Sequence, residues 1–241
     1  MVNRDLENYI EILDCKEFFD NLTSDEMTLL KSKMVIHQYR KGQVLFFYSD
    51  PKVYSFFLLS GLVRLERTDV DADNFYIDYI NEDTYFPYSS VFGETRYQHT
   101  ATAVTDIDII LIPNEVFEKI VSNNINQLMY MYRKMANTLN FLETRIQVIS
   151  VHNTKLRVKK MLSVWMFDLS KAKHDIRIIP YPLTINELAY VSGTTRETAG
   201  RVVRELSEEG KIDFRRQAIY YLDVDYFEQM LEWWVRDWVK R

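Results

Sequence analysis

The residues best suited to chemistry are Arg196, Glu197 and Arg201, which lie close together in the run Leu183–Leu206. An arginine guanidinium can donate two hydrogen bonds to O6 and N7 of guanine, and a glutamate carboxylate can accept one from N4 of cytosine. In a helix, positions 197 and 201 lie one turn apart on the same side, with position 196 beside them. The spacing indicates a face that can read adjacent G·C pairs, with an ordinary solvated surface of mixed charge as the alternative.

Two short helices are predicted to position this face. Thr184 followed three residues later by Glu187 is a capping box, which marks the start of the first helix. Thr195 can cap the second helix, and Gly210 can supply a left-handed stop, so this helix should span residues 196–208. The turn between the helices is predicted at Ser192-Gly193-Thr194.

The second helix is predicted to be amphipathic. Its apolar side carries Ala199, Val202, Val203 and Leu206. In a helix-turn-helix, the first residues of the second helix lie against base edges in the major groove. The candidate DNA contacts are therefore Arg196, Glu197 and Arg201, together with Thr184, Thr195, Thr198 and Arg204.

The stretch Ile185–Leu206 closely resembles the DNA-binding motif of the CRP/FNR family of bacterial transcription regulators, including Gly193 and the run 195–201. In the cyclic-AMP-receptor branch the first Arg, the Glu and the last Arg read a TGTGA-like half-site, which implies these roles for Arg196, Glu197 and Arg201. The FNR branch has serine before the last Arg and no arginine before the Glu. The resemblance thus favours an inverted repeat like TGTGA-N6-TCACA, and it implies RNA polymerase as a partner.

Charge is distributed unevenly along the chain. The formal net charge is −5, yet residues 155–216 carry 13 Lys and Arg against 8 Asp and Glu. A local excess of positive charge is what phosphate binding requires, and an acidic remainder does not cancel it beyond a Debye length of about 8 Å. Several basic residues at the two ends of this block are therefore interpreted as phosphate contacts, without assignment: Lys155, Arg157, Lys159, Lys160, Lys211, Arg215 and Arg216.

Composition indicates a soluble cytoplasmic protein of one or two domains. The chain has 241 residues, of which 47% are hydrophobic, and it contains no run of 18 apolar residues or apolar leader at its start. The single cysteine, Cys15, excludes an internal disulfide and an iron–sulfur cluster, and is interpreted as a helix residue. No membrane association and no cofactor are expected, and the residues do not select a small-molecule effector.

The first part of the chain has the texture of a β-domain. Short apolar runs are separated by turn residues, including Asp71–Asn74, which favours a sandwich or jelly-roll barrel in an α+β protein. The predicted strands lie at 44–48, 54–59, 62–67, 75–80 and 102–112. A short helix capped by Thr23 precedes them and leads to Met34. This order is that of the family's cyclic-nucleotide-binding-like domain, with Gly42 and Gly61 as its turn glycines.

The residues that hold cyclic AMP in members of this family are replaced by others at the aligned positions of this sequence. Family members use a Gly-Glu pair for the ribose and an Arg-Ser or Arg-Thr pair for the phosphate, whereas alignment places Phe86-Pro87-Tyr88 and Tyr97–Thr100 there. A nearby Phe92-Gly93-Glu94 has the wrong spacing. Without a buried arginine the cyclic phosphate would be left unpaired, so no response to cyclic AMP is expected. The run 196–200 and the altered pocket look most like the regulators of arginine-deiminase genes in low-GC Gram-positive bacteria.

A long helix is predicted to join two copies of the chain. Apolar residues four and three apart form a coiled-coil seam at Leu128, Tyr132, Met135, Leu139, Leu142, Ile146 and Ile149. Packing against the chain's own barrel is the alternative, and the unbroken heptad spacing favours a partner helix. A parallel dimer would place two recognition helices about 34 Å apart. The domains are predicted as a barrel at 1–113, a short and a long helix at 114–152, and a winged helix-turn-helix at 153–241.

The end of the chain completes the predicted DNA-binding domain. Lys211–Tyr221 alternates around a basic centre and should form the wing hairpin. Residues 225–241 are predicted to form one aromatic-rich helix, whose apolar side carries Phe227, Trp233, Trp234 and Trp238. An aromatic stripe at helical spacing is usually core, so we expect it to pack against a domain and not to stack on bases.

Two alternatives to a DNA-binding regulator belong to other functional classes. A jelly-roll can be a metal-dependent enzyme, but the four histidines, His37, His99, His152 and His174, are scattered without an H-x-H pair. The chain is therefore not expected to be an enzyme. It could also be a ligand-binding regulatory subunit that uses the helical motif to dock on a protein partner.

Overall fold

The computed structural model describes Leu13 and residues 16–68, 75–87, 92–93 and 95–231. The chain divides into two compact units, residues 1–135 and 136–241. The first is rich in β-structure, and the second is mainly helical with one small sheet. The predicted α+β class is thus confirmed. Cys15, the turn 71–74, Tyr88, Glu94 and the three tryptophans of the tail, which entered the sequence interpretation, lie outside the described residues.

The first unit is a jelly-roll of two antiparallel four-stranded sheets with helices at its ends. One sheet has the order β1-β8-β3-β6 and the other β2-β7-β4-β5. The capping box of Thr23 and Glu26 starts α1, as the sequence predicts. The elements are α1 Ser24–Lys33, β1 Val35–Tyr39, β2 Val44–Phe46, β3 Tyr54–Ser60, β4 Val63–Thr68, β5 Phe75–Ile80, β6 Thr84–Phe86, β7 Thr100–Ala103, β8 Ile107–Pro113 and α2 Asn114–Asn123.

Strand β3 shows how the two cores of this unit are separated. Phe56 and Leu58 pack into the core between the sheets, whereas Phe57 and Leu59 pack into a second core with the helices. Successive side chains of a strand point to opposite faces, so one strand serves both cores. The continuous apolar run of β3 therefore reflects burial on both sides.

The predicted strand 102–112 is wrong as a single element. It is divided into β7 and β8, which belong to different sheets. The intervening Asp106 accepts hydrogen bonds from the backbone N–H of Lys41 (2.8 Å) and from Nη1 of Arg40 (2.9 Å). Thr105 Oγ1 accepts from the backbone N–H of Leu62. These non-local bonds turn the chain from one sheet to the other. Sequence reasoning also missed the strands β1 and β6.

The second unit carries the helix-turn-helix. Helix α3, Ile125–Ile149, begins three residues before the predicted start at Leu128 and enters this unit at Ala136. It is followed by α4 Thr154–Leu169, β9 Lys171–Lys173, β10 Ile176–Ile179, α5 Ile185–Val191, α6 Arg196–Glu208, β11 Ile212–Phe214, β12 Ile219–Tyr221 and α7 Val224–Glu228.

The predicted wing is present and is larger than expected. Strands β11 and β12 pair as the hairpin, and β10 and β9 extend it to a four-stranded sheet with the order β11-β12-β10-β9. The hairpin of β9 and β10 was missed by sequence reasoning. The predicted helix over 225–241 is wrong as a single element, because α7 ends at Glu228 and a turn follows with a bond from Met230 N to Phe227 O; the part over 232–241 lies outside the described residues. Within the described part of the chain, no helix combines the length and apolar character that a membrane span requires.

Candidate nucleic-acid interface

Helix α5 begins as its capping box predicts. Thr184 Oγ1 accepts a hydrogen bond from the backbone N–H of Glu187 (3.2 Å), and the Glu187 carboxylate accepts from the backbone N–H of Thr184 (2.7 Å). The reciprocal bonds satisfy two donors that the first turn leaves without helical partners. The start of α5 is thus set by neighbouring residues alone.

The turn between α5 and α6 depends on Gly193. Its φ of 56° lies in the left-handed region that favours glycine. Thr194 N donates to Ala189 O and Gly193 N donates to Tyr190 O, both at 3.0 Å, which closes the end of α5. Thr195 follows at once as the N-cap of α6, with its Oγ1 accepting from Thr198 N at 3.2 Å. The two helices are therefore held at a tight, defined corner.

Helix α6 buries one face completely. Ala199, Val202 and Leu206 have no exposed surface, and Val203 is also buried. The helix ends through a bond from Lys211 N to Leu206 O around Gly210, whose φ is 69°. The bounds 196–208 and the buried stripe agree with the sequence prediction. The apolar face fixes which side chains remain outside.

The exposed face of α6 carries the predicted base-reading residues. Arg196, Glu197, Arg201 and Arg204 are all exposed. They line a concave surface with Gly200 and with the apolar side chains Ile185 and Val203. Within the described residues, Arg196 and Arg204 form no ion pair or hydrogen bond, whereas Arg201 Nη2 lies 2.9 Å from Glu197 Oε1. Two of the three arginines are thus available to a ligand in the free protein.

A second concave surface adjoins the first on the side of α5. It is lined by Asn186, Ala189, Tyr190 and Thr194, and Arg196 contributes to it as well. Tyr190 is largely exposed although it is aromatic. Sequence reasoning missed Asn186 and Tyr190. Their spacing could have identified them, because residues two and six positions after the Thr184 cap both lie on the outer side of α5.

Contacts within the protein occupy several cations of the basic block, residues 155–216. Ion pairs join Lys155 to Glu205 (2.6 Å), Lys211 to Glu209 (2.5 Å) and Arg215 to Asp213 (2.6 Å). The Glu209 hydrogen bond raises the pKa of Lys211, and the same bond lowers the pKa of the Glu209 carboxyl. Of the seven candidate phosphate contacts, the side chains of Lys159, Lys160 and Arg216 form no ion pair or hydrogen bond within the described residues, and Lys159 lies over the Tyr226 ring.

Arg157 is committed to the protein itself and is removed from the phosphate candidates. Its guanidinium donates to three backbone carbonyl oxygens: Nε to Ser192 (2.6 Å), Nη1 to Val151 (2.8 Å) and Nη2 to Gly193 (3.0 Å). Because all three nitrogens are used, little of the guanidinium is left for DNA. Its charge alone gave no sign of this role.

The residues of the predicted dimer seam are mostly open to solvent. Tyr132 and Ile146 are each 64% exposed and Leu139 is 58% exposed, while Met135 and Ile149 are about half exposed and Leu142 is half-buried. Leu128 differs, because it packs partly against the helical core of the first unit. Ile125, three residues before Leu128 and also exposed, continues the heptad and was missed. Apart from Leu128 and the half-buried Leu142, the seam is an apolar stripe that the described residues leave uncovered.

Four buried aromatic rings share the core between the two sheets, and two of them, Phe86 and Tyr97, stand at the positions that the sequence alignment gives to the nucleotide-binding pairs of the family. Phe86 is fully buried, and the Tyr97 ring stacks on Phe46 with 3.8 Å between centroids. The Tyr97 hydroxyl donates to Tyr54 O at 2.6 Å, and burial raises the pKa of Tyr97 to about 12. Arg96 is exposed and donates to Ser49 O. Among the described residues, no arginine is buried. The described part of the chain also contains no group of three or more His, Cys, Asp or Glu residues that could hold a metal ion.

Each of the two units contains a match to a known protein family. Residues 36–124 match the family model of the cyclic nucleotide-binding domain, and residues 157–230 match that of the Crp-like helix-turn-helix domain. The chain is 27% identical over 192 residues to the HTH-type transcriptional regulator ArcR of Staphylococcus haemolyticus, covering 80% of this chain and 84% of that protein. It is 24% identical over 188 residues to the global nitrogen regulator of a Nostoc strain, covering 77% and 84%.

Solved structures share the fold. FixK2 from Bradyrhizobium japonicum has a TM-score of 0.70 at 17% identity, over 83% of this chain and 98% of that chain. A putative transcriptional regulator of the crp/fnr family from Eubacterium rectale has a TM-score of 0.64 at 17% identity, over 89% and 97%. The matching families and relatives are transcription regulators and not enzymes. The chain therefore belongs to the CRP/FNR family of DNA-binding transcription regulators, and within it resembles the ArcR proteins of staphylococci.

Proposed function

We propose that this regulator acts as a homodimer that binds an inverted repeat of the form TGTGA-N6-TCACA through α6, and that it does so without cyclic AMP. The observation that carries the proposal is the exposed face of α6, where Arg196, Glu197 and Arg201 lie on the first two turns opposite a fully buried stripe. The first turns of a recognition helix are the part that enters the major groove.

Base reading is assigned to three side chains. Arg196 has no partner to give up within the described residues, so it can donate to guanine without breaking a bond. Glu197 and Arg201 are paired with each other, and their mutual bond holds both side chains over the same turn. Thr184, Thr195 and Thr198 are exposed or half-exposed around them and are proposed as polar contacts to the DNA backbone.

Phosphate affinity is assigned to the cations that the protein leaves free. Arg204 lies two turns beyond Arg196 on α6, and Arg216 lies in the wing turn between β11 and β12. Both are exposed and neither is paired among the described residues. Each phosphate contact releases counterions, so loss of one such cation should flatten the salt dependence by about one charge.

The dimer is proposed to form through the exposed seam of α3. Its exposed residues recur at heptad spacing from Ile125 to Ile149, as in a two-stranded coiled coil. A second copy of the same helix supplies a matching stripe. Two-fold symmetry of the protein would then match the symmetry of the repeat.

Independence from cyclic AMP is proposed from the filled jelly-roll. Phe86 and Tyr97 occupy its core together with Phe46 and Phe56, and no Lys or Arg is buried among the described residues to pair with a cyclic phosphate. An unpaired buried anion is strongly disfavoured. We further propose RNA polymerase as a partner, action in the cytoplasm, where DNA is available, and a domain organisation of 1–113, 114–152 and 153–241.

The central experiment measures binding of the full chain to fluorescent duplexes by anisotropy at fixed salt. A TGTGA-N6-TCACA duplex should bind at least about 10³-fold more tightly than a scrambled duplex of equal composition. Adding cyclic AMP should change neither affinity, and calorimetry should detect no heat of binding. Equal affinity for both duplexes would reject the regulator's proposed operator, and micromolar binding of cyclic AMP would reject the proposed independence.

A further inference from the structure

One side chain joins the end of the long helix to the turn of the helix-turn-helix. Arg157, in the first turn of α4, donates to the carbonyl of Val151, two residues after α3 ends, and to the carbonyls of Ser192 and Gly193 between α5 and α6. All of these residues lie in the unit 136–241. The guanidinium is partly buried among them. It therefore connects the end of α3 and the start of α4 to a turn about 35 residues further along the chain.

The chemistry of this contact requires an arginine. The three carbonyl groups follow the C-terminal ends of α3 and α5, where the helix dipoles favour positive charge, so each accepts well from a cation. A guanidinium presents its donors in a rigid planar fork, whereas a lysine ammonium is a single point that cannot reach three carbonyls in fixed directions. A cation in the first turn of a helix is disfavoured by the helix dipole, so the position of Arg157 on α4 is explained by the two helix ends that it binds.

The contact links the two halves of the proposed mechanism. Helix α3 carries the exposed seam, and the turn at Ser192-Gly193 sets the direction in which α6 leaves α5. Building on the proposed dimer, we propose that Arg157 is a positioning residue that fixes α6 relative to the end of α3, and thereby sets the half-site spacing that the regulator accepts. An error in the direction of α6 would be repeated in the second subunit by symmetry. A one-base-pair change of spacing also rotates one half-site about the DNA axis, so a rigid connection must discriminate against it.

The test compares spacing preference in Arg157→Met and Arg157→Lys with that of the unaltered chain. Affinities are measured for TGTGA-Nx-TCACA duplexes with spacers from four to eight base pairs. We expect the unaltered chain to prefer one spacer, and Arg157→Met to reduce that preference by about 2- to 30-fold, the range of coupling found for residues that link distant sites. Arg157→Lys should fall in between. Equal weakening at every spacing, or an unchanged profile, would overturn the proposal.

A matched control and a second measurement separate this proposal from the operator itself. Lys173→Met removes an exposed cation from β9 in the same unit but leaves the three carbonyl bonds in place, so it should not alter the ratio between spacings. Spin labels at Gln147→Cys and Ser207→Cys, in a Cys15→Ser background diluted with unlabelled protein, report the distance between α3 and α6 without DNA. Arg157→Met should broaden that distance distribution and Lys173→Met should not. A distribution of unchanged width would overturn the proposal even if the operator sequence is different.

Discussion

The carboxylate of Glu197 accepts a hydrogen bond from Nη2 of Arg201 at 2.9 Å, one helical turn further along α6. Both side chains are well exposed, so the pair contributes at most about 0.5 kcal/mol to helix stability. Both are also assigned to base reading. The two residues should therefore affect DNA binding far more than folding.

Replacing Glu197 by alanine tests this separation. The free energy of unfolding should fall by no more than about 0.5 kcal/mol, because an exposed i,i+4 pair is weak. Specific DNA affinity should fall by about 1–3 kcal/mol, with relaxed choice at the base pair whose cytosine it contacts. Urea unfolding and anisotropy on single-base operator variants measure the two quantities. A loss of equal size on scrambled DNA would contradict the assignment.

Arg196→Ala should act on one position of the operator. We expect a cost of about 1–3 kcal/mol on the intact site and little cost where that base pair is already changed. Arg204→Ala should weaken all duplexes alike and reduce the salt slope. Lys33→Ala, which removes an exposed cation from α1 in the other unit, is the control for net charge. If Arg196→Ala and Arg204→Ala have the same profile, the base-reading role of Arg196 is wrong.

The glycine inside α6 and the glycine that follows its end should respond to alanine in opposite directions. A Cβ on Gly200 would meet only Ile185 Cγ2 at 3.8 Å, so Gly200→Ala should stabilise the protein by about 0.5–1 kcal/mol through helix propensity. Gly210 has a φ of 69°, where an L side chain is strained, so Gly210→Ala should destabilise by about 1–2 kcal/mol. Thermal and urea unfolding give the signs. Destabilisation by Gly200→Ala would show that this position is more crowded than its contacts indicate.

Leu139→Asp should separate the proposed dimer. The side chain is 58% exposed in the single chain, so the fold should persist while the seam loses an apolar contact and gains two facing charges. Sedimentation equilibrium should shift from twice the chain mass of 28.9 kDa to a single chain. Gln147→Asp, an exposed change on α3 outside the heptad positions, should leave the mass unchanged. A monomeric unaltered chain would remove the dimer from the proposal.

Alkaline pH should weaken the jelly-roll through Tyr97. Burial raises the pKa of its hydroxyl to about 12 from an ordinary value near 10, so between these values the folded state holds a proton that the unfolded chain releases. The Tyr97 proton contributes at most about 2–3 kcal/mol to the free energy of unfolding. This contribution is complete below pH 10 and is lost as the pH rises towards 12. Urea unfolding from pH 9 to 11.5 should show a steeper loss for the unaltered chain than for Tyr97→Phe. Parallel curves would contradict this.

Much of the DNA-binding face could be predicted from sequence because it is built by short-range interactions. The caps at Thr184 and Thr195 act over three residues, and the buried stripe of α6 follows from helical periodicity. The heptad on α3 is likewise a local pattern. These features identified the family, the bounds of α6 and the residues on its exposed side.

Tertiary structure alone decided which cations are free and where the β-strands divide. Arg157 and Arg204 have the same chemistry in the sequence, but Arg157 binds three carbonyls, two of them in the distant turn between α5 and α6, and Arg204 has no partner within the described residues. The run 102–112 has one continuous pattern, yet Asp106 is held by Arg40 and Lys41 and splits it between two sheets. Such contacts join residues many positions apart, and a local pattern carries no record of the partner that folding will bring to it.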